Sequence, residues 1–384
     1  PFFLFIMGSA VLLVALWIAV LALGLPPPRV AGGALVWHAH ELLLGFGLAA
    51  VAGFVLTAVP EFTATASASP RTGRLLVLLW LLGRLGVWLS GAAGLPALAL
   101  AALAHLGLIG GLLILLLPAL RTVAGRRQHA FGWALAALFL LAAGFYVDAL
   151  RGQYPMRWLL AVLGLVMVLI IVAMSRISMR IVNRSIDEAG EGGAPYLARP
   201  PKRNLAILCI VLFTLAEFWH PGGRVSGWLA CAAAAALCNL MGDWHVGRPL
   251  LRRWPFMLYA VYVCMALGYA LIGTALLAGG PGASAGRHLL TMGALGLSIY
   301  VVISIAGRAH CGHPSDERPW VVQGALLIGA GAMLRAGAAF APEAATALLG
   351  MAGMCWVGGF GLMALRMLPV LWGPRPDGGR SCEG

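Results

Sequence analysis

The stretch VWHAHELLLGFGLAAVAGFVLTAVP, residues 36–60, joins a long apolar run to two histidines and a glutamate at its front edge. A membrane-spanning helix needs about 20 mostly apolar residues, because lipid offers the backbone no hydrogen-bond partners. This stretch is long enough to cross a bilayer. His38, His40 and Glu41 are therefore ionisable side chains at membrane depth, where such groups usually line a functional cavity.

The composition of the whole chain agrees with a membrane protein. Of its 384 residues, 61% are hydrophobic and 10% are charged, whereas a soluble domain has about 45–50% apolar and about 25% charged residues. The longest polar stretch, residues 176–203, is too short for a separate soluble domain. We therefore predict one all-α integral membrane domain over residues 1–384. Because the chain begins inside an apolar run, we expect that a short N-terminal piece precedes Pro1 and that the first helix is not a cleaved signal peptide.

Twelve apolar segments along the chain have the length of a transmembrane helix. They lie at residues 2–25, 38–59, 74–93, 97–118, 130–150, 157–177, 204–220, 226–243, 255–278, 288–307, 320–340 and 344–366. Prolines such as Pro60, Pro96 and Pro255 are expected between them, where a missing amide is tolerated. The sequence thus predicts twelve transmembrane helices.

The distribution of positive charge predicts the orientation, because Lys and Arg accumulate on cytoplasmic loops. Of the 26 Lys and Arg residues, five fall on one side of the predicted topology: Arg29, Arg151, Arg157, Arg224 and Arg287. Arg84 and Arg335 lie inside predicted helices three and eleven, and the others lie on the opposite side. We therefore expect both termini in the cytoplasm. The net charge of +13 is therefore explained by the orientation of the chain in membrane lipid. The sequence has no patch of basic and aromatic residues suited to nucleic acid.

The histidines are unevenly distributed across the predicted membrane. Five of the nine share the predicted outer leaflet: His38, His40, His105, His220 and His288. The other four fall on or near the cytoplasmic face: His129, His245, His310 and His313. A single interfacial histidine usually contacts lipid headgroups, but five on one side favour a metal or cofactor site, since imidazole is the commonest metal ligand.

Helices two and ten resemble each other in sequence. HELLLGFG from His40 aligns with HLLTMGALG from His288, and each histidine is followed by an arginine at a similar distance, 44 residues to Arg84 and 47 to Arg335. RWLLAVLGLV, which begins predicted helix six, also aligns with the start of helix ten. Since the offsets are multiples of four helices, we predict three parallel repeats. Their bounds would be residues 1–129, 130–253 and 254–384.

Twelve helices in three four-helix repeats, with histidines on helices two and ten, resemble the architecture of the catalytic subunits of haem-copper oxidases and nitric oxide reductases. In those proteins helices two and ten supply the axial imidazoles of a low-spin haem. The resemblance concerns architecture alone.

In sequence the chain is similar to the NnrS family. The similarity spans almost the whole chain, and its most specific part is the WHAHE box at residues 37–41, with LWLLGR at 79–84 and GHP at 312–314 in support. It implies a twelve-helix protein of the bacterial inner membrane that contains haem and copper, is linked to nitric oxide and denitrification, and helps cells tolerate nitrosative stress. The family's histidines correspond here to four residues: His38, His40, His288 and His313. The chain departs from the family pattern at Tyr262, where a histidine is expected, and at Pro314.

The resemblance and the helix geometry together predict two metal sites. Residues two apart on a regular helix point about 200° apart, so His38 and His40 are expected to serve different sites. We predict that one of them pairs with His288 across a haem iron and that the other points to copper with help from His220 or His105. The haem should be haem b, because the chain has no C-x-x-C-H motif for covalent attachment.

The remaining charged residues receive supporting roles in this hypothesis. Glu41 is expected to orient an imidazole through its second nitrogen. Arg84 and Arg335 need anionic partners, for which haem propionates are suitable. The alternative for both arginines is a structural ion pair with one of three acidic residues: Asp148, Glu217 or Glu343.

Two classes of function fit these patterns. The first is a haem protein that binds, senses or reduces nitric oxide, with an electron donor if turnover occurs. The second is a multi-helix transporter whose histidines bind a metal ion or a proton in transit. Transporters more often consist of two related halves with helices broken at the midplane, so the threefold pattern favours the first class. The sequence does not decide whether the protein has a nitric-oxide-reductase-like activity, because Trp158 occupies the position where an oxidase-like copper ligand is expected.

Overall fold

The computed structural model describes residues 2–63, 65–122, 129–190, 195–376 and 378. Within these ranges the regular secondary structure is helical throughout. It forms twelve long segments: α1 Phe2–Leu23, α2 Ala34–Thr63, α3 Pro70–Ala93, α4 Leu95–Leu120, α5 His129–Leu150, α6 Met156–Ala189, α7 Pro200–Trp219, α8 Arg224–Met241, α9 Arg253–Ala278, α10 Gly282–His310, α11 Trp320–Gly337 and α12 Ala345–Trp372. The predicted all-α fold is confirmed, and the described residues form as many long helical segments as the twelve transmembrane helices that the sequence predicts.

Eleven of the twelve segments are long and apolar enough to cross a membrane. The exception is α7, whose 20 residues include Lys202, Arg203 and Glu217. Its crossing of the membrane stays a prediction. The two cationic residues lie in the first turn, where long basic side chains reach the headgroup level, and this position is compatible with a crossing.

Side-chain exposure on α3 shows how these helices meet lipid. Leu81, Leu85 and Leu89 are exposed, whereas Trp80 and Val87 on the opposite side are almost completely buried. An exposed row of leucines four residues apart suits the hydrocarbon core. Large exposed tryptophans lie near helix ends, where aromatic side chains sit at the membrane interface: Trp133, Trp219 and Trp372. The chain is a multi-pass membrane protein.

Helix α6 extends well beyond its predicted end near residue 177. It continues to Ala189 and has 34 residues, which is about 51 Å of helix against a hydrocarbon core of about 30 Å. The first part of the polar stretch is therefore helical, and α6 is longer than one crossing of the membrane requires. An ion pair of 2.8 Å between Arg184 and Glu188, one helical turn apart, favours this extension.

The prolines do not all fall between helices as predicted. Pro60 lies inside α2, close to its end at Thr63. Pro96 lies in the first turn of α4 and Pro255 in that of α9. The first turn tolerates proline because its N–H groups have no partner within the helix, so these helices begin earlier than the prolines suggested.

Helices α2 and α10 share an unusual backbone. Each starts with seven α-helical residues, Ala34–His40 and Gly282–His288, and then becomes π-helical over Glu41–Gly47 and Leu289–Gly296. Long π-helical segments are rare and often lie at functional sites. The two segments aligned by sequence thus have the same local structure, while the predicted three-repeat organisation stays a prediction.

The described helices group into two compact units. The first unit contains α1 to α5, α6 as far as Leu165, and residues 303–316 and 361–384. The second contains residues 166–302 and 317–360. Small residues permit close helix contacts within each unit: a Cβ at Gly86 of α3 would lie 2.6 Å from the carbonyl oxygen of Ala97 in α4.

Candidate functional site

The two histidines that precede the π-helical segments lie deeper than predicted. Helix α2 begins at Ala34 and α10 at Gly282, so His40 and His288 are each the seventh residue of a helix and not its start. At 1.5 Å per residue both lie about 9 Å into the helix. The helices begin earlier than predicted because the small and apolar residues before each histidine are themselves helical.

His40 is completely buried in the first unit and contacts polar groups through both ring nitrogens. Its Nδ1 lies 3.2 Å from Oε1 of Glu41, and its Nε2 lies 3.2 Å from the hydroxyl oxygen of Tyr146 in α5. The same hydroxyl lies 2.5 Å from Nδ1 of His105 in α4. We call these four residues, Glu41, His40, Tyr146 and His105, the buried network.

One end of the buried network is the Nε2 atom of His105. His105 is completely buried, and its Nε2 has no hydrogen-bond partner among the described residues. Its ring lies against Gly83 of α3, where a Cβ would come within 2.3 Å of the ring. A glycine at this position therefore makes room for the imidazole.

The other end of the network is an ion pair. Oε2 of Glu41 lies 2.6 Å from Nη2 and 2.7 Å from Nε of Arg84. Arg84 also donates to Oγ of Ser9 at 3.2 Å and lies 4.6 Å from the ring centre of Trp80. Glu41 thus contacts both an imidazole and a guanidinium, and Arg84 has its anionic partner inside the protein.

Two of the three acidic residues proposed as partners of the arginines are engaged with other residues. Asp148 accepts hydrogen bonds from Arg157 at 2.8 Å and from Nε1 of Trp158 at 2.7 Å. Glu217 forms a 3.3 Å ion pair with Arg287. Neither acid pairs with Arg84, whose partner is Glu41, a residue that the sequence hypothesis had reserved for a histidine.

His38 contacts a different part of the first unit from His40. Its ring stacks on that of Trp17 in α1, with ring centres 4.4 Å apart and an angle of 17° between the planes. The ring centres of His40 and His105 lie 5.3 Å apart. Of the two histidines in the WHAHE box, it is therefore His40 that lies beside the histidine of α4.

His288 is half-buried in the second unit. Its Nδ1 lies 2.8 Å from the carbonyl oxygen of Ser284, one turn earlier. Since a carbonyl can only accept, Nδ1 carries the proton and Nε2 has a bare lone pair. Nη2 of Arg335 lies 3.4 Å from the hydroxyl of the same serine, and within the described ranges no carboxylate lies at ion-pair distance from Arg335.

The other predicted ligands lie apart from these groups. His220 is exposed directly after α7. His313 lies in the turn after α10, where its backbone N–H donates to the carbonyl of Arg308 at 2.9 Å. Tyr262 is buried, with its ring centre 5.6 Å from that of Trp244. In the part of the chain that the structure describes, no three His, Cys, Asp or Glu side chains are arranged to hold a metal ion. The pairing of His38 or His40 with His288 across a haem stays a prediction.

Sequence reasoning missed Tyr146 and Gly83. Tyr146 is separated by 106 residues from His40, and no sequence motif marks either residue. Glu41 beside His40 was the available signal, because adjacent acidic and imidazole groups suggested an orienting contact.

Comparison with protein-family models identifies the family of the chain. The family model described as NnrS protein matches residues 1–375, nearly the whole chain. No individually curated protein matches the chain.

Proposed function

The chain belongs to the NnrS family, a family of membrane proteins associated with the nitric oxide response, and we propose that it binds haem b and copper in the bacterial inner membrane. Its ligand would be nitric oxide or a similar small molecule, and any turnover would need an electron donor. The observation that carries the proposal is the bare Nε2 of His288 close to Arg335, a cation with no carboxylate at ion-pair distance among the described residues.

The residues around His288 fit a haem. An axial imidazole needs a bare nitrogen, and a hydrogen bond from its other nitrogen to a carbonyl fixes the ring and raises its basicity. His288 has this arrangement through Ser284. Arg335 would bind a propionate as a charge-assisted pair. When bound, the haem iron would supply a site for a diatomic ligand.

The residues around His105 supply one ligand for a copper ion and not a complete site. Imidazole suits copper, and a buried nitrogen without a partner is costly unless something binds it. His105 would be the first ligand, whereas both nitrogens of His40 are engaged with Glu41 and Tyr146. Copper would supply one-electron exchange.

We predict that protein purified from haem-replete cells shows a Soret band, and that its haem is extracted by acidified acetone because it is not covalently bound. Elemental analysis of the same sample should detect copper. A colourless preparation would refute the haem assignment, and a haem-containing sample that neither retains nor binds copper would refute the copper assignment alone.

A second prediction concerns orientation. In a scan of reporter fusions, residues 199–203 should report a cytoplasmic location and residues 26–33 a periplasmic one, because the first segment has three cationic residues and the second has one. The reverse pattern would place the histidine-rich side at the inner face and contradict the proposed topology.

A further inference from the structure

The first unit has a cavity that lies apart from the buried network. It is formed by the first residues of α1, the second half of α2 and the last residues of α10 and α12, and every residue that lines it belongs to this unit. Its volume is about 70 Å³. One water needs about 10–15 Å³ by the same measure, so the cavity has room for about five waters, which fill about 150 Å³ of liquid. A cavity of about that size takes benzene, and a single six-membered ring therefore fits.

The wall of the cavity is mostly apolar and partly aromatic. The ring of Phe3 lies against Gly53 of α2 and Gly307 of α10, where added Cβ atoms would come within 3.2 Å and 3.8 Å of it. The hydroxyl of Thr57 donates to the carbonyl of Gly53 at 2.9 Å, so its one proton is used within α2. An apolar wall with a phenyl ring favours a planar ring as the ligand, because aromatic side chains pack well against such rings.

His310, the last residue of α10, supplies a polar side chain to this wall. The side chain is 17% exposed, and its Nε2 lies 4.0 Å from Oε2 of Glu61, which is longer than a hydrogen bond. The imidazole is therefore close to the carboxylate without being bound to it. A neutral imidazole has one N–H, which His310 can donate to a ligand.

The backbone beside the cavity is also unusual. Helix α10 becomes π-helical a second time over Ile303–Gly307, and this segment ends at a residue of the cavity wall. Segments of π-helix are rare and often lie at functional sites. This observation is independent of the side chains, and it also points to a ligand site.

We propose that the cavity binds the ring of a lipid-soluble quinone, with His310 donating a hydrogen bond to a ring carbonyl oxygen and Phe3 packing against the ring. A phospholipid acyl chain would fill the apolar part of the cavity, but it has no acceptor for His310. Leu4 and Leu371 in the wall are half-buried, so the cavity is open to a ligand that dissolves in the membrane. Binding of a quinone goes beyond the proposed function and requires neither haem nor copper.

Photolabelling of the wild-type protein tests the proposal. The protein is placed in phosphatidylcholine nanodiscs, illuminated with an azido-substituted ubiquinone analogue and digested for mass spectrometry. Labels should lie at the start of α1, at residues 53–57 of α2 and at residues 307–311 of α10. An excess of decylubiquinone should remove them, and the same excess of oleic acid should not.

Two variants test the roles of single residues. His310→Leu should weaken the binding of decylubiquinone by about 3- to 10-fold, the usual effect of losing one hydrogen bond. His129→Leu is its matched control, since His129 is an exposed histidine of the same unit. Leu371→Trp should abolish the labelling because the larger side chain fills the cavity. Its matched control is Leu368→Trp, since Leu368 lies in the same helix, is 42% exposed and is not part of the cavity wall.

Labels spread over the lipid-facing helices, or not removed by decylubiquinone, would overturn the proposal, because the quinone would then only dissolve in the lipid. Removal by oleic acid to the same extent would also overturn it, since the cavity would accept any acyl chain. Wild-type affinity in Leu371→Trp would place the quinone elsewhere, and wild-type affinity in His310→Leu would remove the hydrogen bond on which the choice of a quinone rests. The labelling of the wild type needs no variant to fold, and none of these outcomes bears on haem or copper.

Discussion

Replacement of His288 with alanine should remove haem from the purified protein or convert it to a high-spin form. The variant lacks the nitrogen that would bind the iron under the proposed function, and the next three residues of α10, Leu289, Leu290 and Thr291, have no ligating nitrogen or sulfur. Met292 has only a thioether, four residues further along a π-helical segment. Absorption spectra of oxidised and reduced protein, with haem content per chain, would measure the effect.

His245→Ala is the matched control. His245 is exposed and lies in the same unit, so its loss should leave the spectrum unchanged. A spectrum abolished by His313→Ala but unaffected by His288→Ala would contradict the haem assignment, because it would place the iron at the turn that follows α10.

The number of helices could be predicted because each apolar run has about the length needed to cross a membrane. Their ends were less predictable, since α2 and α10 begin several residues before their first histidine. The residues there, such as Ala34 and Gly282, are small or apolar and carry no capping signal that marks where a helix begins. The sequence had no signal for the π-helical segments beyond glycines such as Gly45 and Gly293, which lower helix propensity.

The candidate site was predicted at the level of single residues and not of contacts. His40, His105 and Glu41 were all named, but the contact of His40 with Tyr146 and that of Arg84 with Glu41 were not. A helix that is apolar on all sides has no polar face to show how it is rotated about its axis. Contacts between such helices depend on that rotation, and the spacing of residues along the sequence does not determine it.

Replacement of Glu41 with glutamine should destabilise the protein by about 3–5 kcal/mol, the usual cost of removing one partner of a buried ion pair. The amide oxygen of glutamine can still accept a hydrogen bond from His40. The substitution therefore removes only the anionic partner of Arg84. The side chain of Arg84 is 17% exposed and that of Glu41 1%, which leaves the guanidinium largely without water. The midpoint of thermal or denaturant unfolding in detergent would measure the effect.

The double variant Glu41→Gln with Arg84→Leu should recover most of the lost stability, because it leaves no uncompensated charge. Glu188→Gln is the matched control. It breaks ion pairs with Arg184 and Arg252, in which every side chain is at least 41% exposed, so it should cost less than about 1 kcal/mol per pair. If Glu41→Gln costs no more than Glu188→Gln, water or lipid headgroups reach Arg84, and the ion pair is not buried. If the double variant is as unstable as Glu41→Gln, the loss does not arise from an unpaired charge on Arg84.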